Sequence, residues 1–510
     1  MPRPGTDILI SEPSPGGGGE LDSGACFMIG VTGRGPVDTP ALLTSASAFT
    51  QIFGDSSGGP TASAAAQAFF TERGANLSFL RLSGPAASVA EVEVGTLPVA
   101  ASSPGTWAND VTVSIVADTS PLIPPAPAPT RLTKAQQQAL DDGDGNGNGN
   151  GNGNGNGDAI PVRIVITEDG IVVERSARIR TQGDAVNWAR TTSQYLSIPD
   201  VTDPTVPLAV TADTALTGGT DDPNITTDVV AAALARFSYA MGFAQVCYPG
   251  MTDTNYHGVI LDHCETNRRP ALLDLSDVDA PTLAADADAL HAYSGSRFAC
   301  ALAPRIIYPG PAPGTTMLVP YSAVQAGIIA RADATTGNPN EAAAGSNGES
   351  LAAQGLATDF DNDTREMLND LGVTLPKMMR SGVMRTYGTR TVAGPDEPNW
   401  LWFPGSRTIL AMAHEFDTAA EEFVHRQIDG QRRLFTRLEV ALGGICLDYF
   451  NLGALYGDTP EESFSVDTTS VNTTATIANG EVHAIVRVRV SPPGEWVVIE
   501  IQKTPLAQAV

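Results

Sequence analysis

The last thirty residues limit most severely what this chain can become. Residues 482–490 read Val-His-Ala-Ile-Val-Arg-Val-Arg-Val, a Ser-Pro-Pro-Gly break occupies Ser491 to Gly494, and Glu-Trp-Val-Val-Ile-Glu-Ile-Gln-Lys follows. Side chains alternate along an extended chain, so Ala484, Val486, Val488 and Val490 share one face of the first run and Val497, Ile499 and Ile501 one face of the second. Near the other end, Thr6-Asp7-Ile8-Leu9-Ile10-Ser11-Glu12 is a short strand candidate tethered through the tract Ser14-Pro15-Gly16-Gly17-Gly18-Gly19. A strand on such a tether has no local partner, and its unpaired edge seeks a ladder elsewhere, a second copy of the chain included. Both termini read as connectors, which points to a polymer subunit. The expected connecting strands are Asp7, Ile8, Leu9 and Ile10 at one end and Trp496, Val497, Val498, Ile499 and Ile501 at the other.

A chain of 510 residues is too long for one core, and two to four domains are expected. No apolar stretch of about 18 residues stands out and the first residues lack the basic and apolar regions of a signal peptide, so folding in a cytoplasm is expected. Cys26, Cys247, Cys264, Cys300 and Cys446 are widely spaced without a CxxC pair, the pattern of reduced, buried thiols. With 30 basic against 57 acidic residues, the net charge of −27 argues against a nucleic-acid partner, because phosphate binding needs a positive face.

Periodicity gives a broken α/β series. The spacing predicts a strand over Cys26 to Val31, helices over Ala46 to Phe53 and Ala62 to Arg73, and a strand over Leu77 to Leu82. Separate strands follow at Val111 to Val116, Val162 to Ile166 and Ile171 to Ile179, among Pro-rich and Gly-Asn-rich stretches. The α/β alternation resumes with a helix from Asp228 to Tyr239, strands at Ala244 to Cys247, Gly258 to Leu261 and Ala271 to Leu275, a helix over Pro281 to Ala292, and a strand over Phe298 to Leu302. A long helix is expected over Ile428 to Phe450, where Leu434, Leu438, Leu442 and Ile445 recur at helical spacing.

Several motifs invite a chemical reading. The Gly30 to Gly35 loop follows a strand but lacks both the G-x-G-x-x-G spacing and a Walker lysine, so it reads as a structural turn. His263-Cys264-Glu265 offers a base beside a nucleophile, yet neighbours on an extended segment point to opposite faces. His257 and His263 lack a third ligand in any evident pattern. Asp142, Asp144, Asn146, Gly147 and Asn148 match the first positions of a calcium loop, but Gly153 stands where a bidentate Glu is needed. The Gly-Asn tract over 143–157 is read as a flexible linker, with Asp142, Asp144, Asn146 and Asn148 as a weak calcium alternative. In an acidic chain, Arg426, Arg433 and Arg437 form a basic stripe on the expected long helix, either a solvated face or a contact for an acidic partner.

An ordered succession of blocks carries a resemblance. It begins with Pro4-Gly5, then Gly30-Val31-Thr32-Gly33-Arg34-Gly35-Pro36 with Phe49, Phe53 and Gly54, Phe69-Phe70 before Gly74-Ala75-Asn76, and Leu80-Arg81-Leu82. It continues through Pro104-Gly105-Thr106-Trp107-Ala108-Asn109, Leu216-Thr217-Gly218-Gly219-Thr220-Asp221, His263-Cys264-Glu265, Ala271-Leu272-Leu273-Asp274, Tyr308-Pro309 and Val319-Pro320. It closes with Ala330-Arg331-Ala332-Asp333, Tyr387-Gly388-Thr389-Arg390-Thr391 and Pro493-Gly494-Glu495-Trp496-Val497-Val498. In these blocks the chain resembles the tail sheath proteins of contractile phages and related injection machines. It departs at Asn340-Glu341-Ala342-Ala343-Ala344-Gly345 and where a family Arg pair is reduced to Arg407.

The resemblance implies an α/β (α+β) multi-domain fold with a sheath core built from discontinuous N- and C-terminal segments. The implied parts are an N-terminal arm over 1–23, core over 24–95 and 216–375, an inserted β-rich outer domain over 96–215, an inner domain over 376–494 and a C-terminal arm over 495–510. It further implies a structural subunit without catalytic residues or cofactors. Its partners would be further copies of itself in stacked hexameric rings, a tail tube protein facing Arg426, Arg433 and Arg437, and baseplate and tail terminator proteins, with no nucleic acid and no membrane. Its place would be a virion tail assembled in a host cytoplasm. The acidity and the Gly-Asn tract also fit a calcium-dependent surface-layer or adhesin protein, for which an export signal is expected.

Overall fold

The computed structural model describes residues 22–54, 61–118, 160–277, 279–394 and 397–495. These divide into two units, one made of the residues before Ala86 together with those from Asp222 onward, the other of Ala86–Asp221. The first opens with β1 (Cys26–Val31), β2 (Ala41–Leu43), α1 (Ala46–Phe53), α2 (Thr61–Thr71) and β3 (Leu77–Leu82). The second carries β4 (Glu91–Val94), β5 (Leu97–Ala101), β6 (Val111–Ala117), β7 (Val162–Glu168), β8 (Ile171–Arg175), α3 (Gln182–Thr191), β9 (Leu196–Ser197) and β10 (Thr211–Ala215). The chain then re-enters the first unit as α4 (Thr227–Leu234), β11 (Gln245–Cys247), α5 (Thr254–Asn267), β12 (Ala271–Asp274), α6 (Ala280–His291) and β13 (Ala299–Leu302). It continues through β14 (Ile306–Pro309), β15 (Thr316–Val319), α7 (Tyr321–Thr336), β16 (Gly355–Leu356), α8 (Asn362–Asp370), β17 (Val373–Met378) and β18 (Met384–Tyr387). The last elements are α9 (Phe403–Glu421), α10 (Arg433–Asn451), β19 (Phe464–Asp467) and β20 (Ile485–Val488), with short helices between the final strands.

Eight strands form the central sheet in the order β18-β17-β13-β12-β11-β1-β3-β2, parallel except for the outermost strand at each edge. Burial on both faces is what a parallel sheet requires, and the sequence supplies it residue by residue. In β1, Cys26 and Met28 enter one apolar cluster with Phe49, Phe53 and Phe79, while Phe27 and Ile29 enter another with Phe237, Val246 and Leu261. β13 alternates the same way, Cys300 and Leu302 facing α7 and Ala299 and Ala301 the opposite side. β1 pairs directly with β11, so the two halves of this core meet strand to strand across the intervening unit of sequence.

The second unit is antiparallel, with sheets ordered β10-β6-β7-β8 and β4-β5-β9 around Val111, Val113, Ile115, Ile164 and Ile166. α3 covers this core with Ala185, Val186, Trp188 and Ala189, and starts at a capping box in which Thr181 and Asp184 satisfy each other's backbone donors. Where β6 and β7 part, Asp118 N donates to Pro161 O at 2.8 Å, and the buried Asp118 carboxylate takes Arg163 Nε at 2.8 Å and Arg178 Nε at 2.9 Å.

Four expectations need correction. Gly258 to Leu261 lies inside α5, not in a strand, because His257, Ile260, Leu261 and Cys264 bury one helical face and Asp253 caps the first turn. β8 stops at Arg175 because the Ser176 hydroxyl takes the Ile164 N–H at 2.9 Å and donates to Ala177 O, replacing ladder bonds. The helix expected to Tyr239 ends at Leu234; beyond it, the carbonyls of Phe237, Ser238 and Gly242 are gathered by the buried Arg269 guanidinium. α10 begins at Arg433, not Ile428, because Arg432 adopts a left-handed φ of 62° and Asp429 accepts from Gln431 N and Arg433 N. Arg426 therefore precedes α10, in the turn after α9, and does not share its face.

Candidate assembly site

β20 runs antiparallel to β19, Phe464 opposite Val488 and Val466 opposite Val486. Phe464, Val486, Val488 and Val490 pack against Met412, Phe416, Cys446 and Tyr449 from α9 and α10 and against Leu455 beyond α10. Val490 also bridges to Leu455, and among the described residues no third strand joins either outer edge of the β19-β20 sheet. The opposite face carries Ser465, Arg487 and Arg489 toward solvent. Of the alternating run expected over 482–490, only Ile485–Val488 is strand.

The described residues closest to each chain end are held by side chains. Ser23 Oγ donates to Asp333 Oδ2 at 2.8 Å, and Arg407 donates from Nη2 both to Ser23 O at 3.1 Å and to Asp333 Oδ2 at 2.5 Å. Arg407 and Asp333 are both almost fully buried, so removing either partner would strand the other's charge in the interior. On the other side, Asn340 Nδ2 donates to Ser491 O at 2.8 Å, and Ser491 N donates to Ala454 O at 2.9 Å. Glu495 accepts from Arg390 Nη2 at 2.8 Å, Arg390 Nε at 3.2 Å and Asn369 Nδ2 at 2.7 Å. Sequence reasoning singled out the blocks holding Asp333, Arg390 and Glu495 but not their contacts; Asn369 carried no signal at all.

The expected connecting residues Asp7, Ile8, Leu9, Ile10, Trp496, Val497, Val498, Ile499 and Ile501, and the calcium candidates Asp142, Asp144, Asn146 and Asn148, lie outside the described residues. Arg433 and Arg437 sit on the exposed side of α10, four residues apart, and the same side continues through Val440 and Leu447. Arg437 also lies over the Phe423 ring, and Arg426 Nε donates to Glu422 O.

The chemically suggestive motifs are committed elsewhere. Arg81 donates to Thr32 O at 2.8 Å, Gly33 O at 3.1 Å and Gly35 O at 3.1 Å, so the Gly30 to Gly35 loop turns carbonyls, not N–H groups, toward its centre. On α5, burial and the nearby Arg269 charge depress His263 to about 3, and burial raises the Cys264 thiol; Glu265 instead pairs with Arg297 at 3.0 Å. All five cysteines are buried. His257 is buried with Nε2 against Met251 O at 2.9 Å, and among the described residues no three His, Cys, Asp or Glu side chains converge as a metal would require. An open cleft of about 630 Å³ lies between α4 and α5, but Thr226 and Asp253 in its wall are engaged as helix caps. No described helix is long and apolar enough to cross a membrane.

A doubly covered α/β sheet, a separate antiparallel unit and a two-stranded ribbon beside a helical pair together make the fold of contractile tail sheath proteins. The sheath tail protein Lin1278 from Listeria innocua superposes with a TM-score of 0.59 at 11% identity, over 91% of this chain and 95% of that one. The sheath tail protein from Desulfitobacterium hafniense gives 0.55 at 14% identity, over 88% and 92%. The contracted helical sheath of the anti-feeding prophage gives 0.56 at 14% identity, over 95% and 94%. No protein-family model matches the chain, nor does any curated protein.

Proposed function

We propose that this chain is the structural subunit of a contractile tail sheath. Copies stack as hexameric rings around a tail tube and are joined by strand exchange, residues 7–10 and 496–501 of neighbouring copies adding to the outer edges of β19-β20. The observation that carries this is the ribbon itself: one face packs on α9 and α10, both outer edges lack a strand among the described residues, and an unpaired strand edge is where a strand of another chain can add. Main-chain hydrogen bonds from incoming strands would hold the lattice, each buried pair avoiding a penalty of about 1 to 3 kcal/mol. The α/β bodies then rotate and slide against one another into a denser lattice, so the work is stored at assembly and no catalysis is involved. Residues 96–215 decorate the outside, Arg433 and Arg437 face the tube, and baseplate and terminator proteins close the ends. The place of action is a virion tail, assembled in a host cytoplasm.

Electron microscopy of the purified full chain tests this reading. Wide hollow tubes are expected, and removing residues 1–20 or 496–510 should leave folded monomers. Dispersed full-length monomers, or tubes that persist after both truncations, would refute it.

A further inference from the structure

Two sequence blocks that resemble the sheath family, one around Arg390 and one around Glu495, stand 105 residues apart and meet in a single ionic cluster. Among the described residues, Glu495 is the member that the end of the chain contributes. Arg390 grips it through two nitrogens, Asn369 adds a third bond, and the remaining Arg390 terminal nitrogen holds Asp370 Oδ1 at 2.7 Å. Asn369 and Asp370 end α8, and the Arg390 backbone bridges to Trp402 at the start of α9, so the anchor is built into the body. The side chains of Arg390 and Glu495 are only 14% and 17% exposed. A bidentate fork of this kind gives geometric specificity that a mobile surface pair lacks.

The core does not need this contact for closure, since Val490 and Ser491 already tie the chain to Leu455, Ala454 and Asn340. A need arises from the sequence beyond it. In the sequence the runs 485–490 and 497–501 both alternate and are separated by six residues, a spacing short enough for a pairing of the second run with its own β20 to compete with donation to a neighbour.

We propose that the Glu495–Arg390–Asn369 cluster is a latch that fixes where and in which direction residues 496–510 leave the body, offering them to a second copy instead of to their own β20 edge. This rests on the sheath reading above, and the experiment separates the two. Full-length chain, E495Q, R390Q, the double variant and a chain ending at Glu495 are compared for the concentration at which tubes appear and for the thermal midpoint of the unassembled subunit. The latch requires E495Q and R390Q each to raise the assembly concentration about tenfold, with the subunit midpoint nearly unchanged in E495Q, and the double variant to assemble no worse than R390Q, because both single variants break the same Arg390–Glu495 contact while R390Q also frees Asp370. E495D should recover part of the loss. Should R390Q fail to fold, E495Q and E495D still decide the matter, since they alter only the tail. If the truncated chain cannot assemble but E495Q assembles at the wild-type concentration, the latch is wrong and strand exchange stands. If the truncated chain assembles normally, strand exchange fails and the latch with it.

Discussion

His414, on α9, donates from Nε2 to Asn267 O and Arg268 O, both at 3.2 Å, and stacks on the Tyr239 ring at 4.5 Å. Burial, reinforced by the Arg269 charge, holds it down at about 4, as it holds His263 at about 3. Both bind a proton more readily unfolded, near 6.5, so their stabilising contribution is complete above that value and is lost as pH falls toward the folded values. Each costs about 1.4 kcal/mol per pH unit in that window. Asp274 works in the opposite sense: buried among Gly250 N, Ser322 N and Ser322 Oγ, it is raised to about 6 and favours the folded state as pH drops below that. Of these three groups the two histidines outweigh the aspartate, together a loss of about 2 to 3 kcal/mol between pH 7 and pH 5, and His257, also lowered by burial, acts in the same direction. Urea titrations of H414Q should show a visibly shallower decline than wild type. Parallel curves for the two proteins would remove His414 from the account.

At the scale of elements, the β6-β7 hairpin closes before residues 119–159 begin. Ala117 pairs with Val162, Asp118 N reaches Pro161 O, and the two arginines on the Asp118 carboxylate complete the root. Replacing 119–159 by Asn-Gly should therefore leave the thermal midpoint within about 2 °C, because a tight turn suits two strands already in register. A drop of more than about 8 °C would mean that the removed residues stabilise the body. The elements whose local pattern agrees with their surroundings were legible in the sequence: β1, α1 and β3 fall where alternation and helical spacing put them. α5 was misread because Gly258-Val259-Ile260-Leu261 looks like a strand taken alone. The longer spacing of His257, Ile260, Leu261 and Cys264 carried the helix, and Gly258 is there because a Cβ would lie 2.5 Å from the Tyr293 ring. The Arg390–Glu495 contact was illegible for a different reason, since nothing local at either residue depends on the other.

For the whole molecule, charge separates the tube-facing reading of α10 from a merely solvated helix. The chain is acidic overall, yet Arg433 and Arg437 stand one turn apart on an exposed face that continues through Val440, 70% exposed, and Leu447, 41% exposed. Exposed apolar side chains such as Leu42, Ile171 and Val210 also occur elsewhere on the surface, so the distinction rests on the charges: a face that docks on an acidic tube uses the arginines for attraction, and a solvated face does not. Reversing both charges with R433E and R437E touches neither the packing of Leu434, Leu438 and Leu442 nor the β19-β20 ribbon. The double variant should keep its thermal midpoint and still form tubes by itself at high concentration, while assembly templated on tail tubes at moderate salt falls at least tenfold. Rising salt should narrow the gap between the variant and wild type, since screening weakens exposed charge pairs over about 10 Å. Template-dependent assembly at the wild-type rate would leave α10 a solvated helix and place the tube contact elsewhere on the subunit.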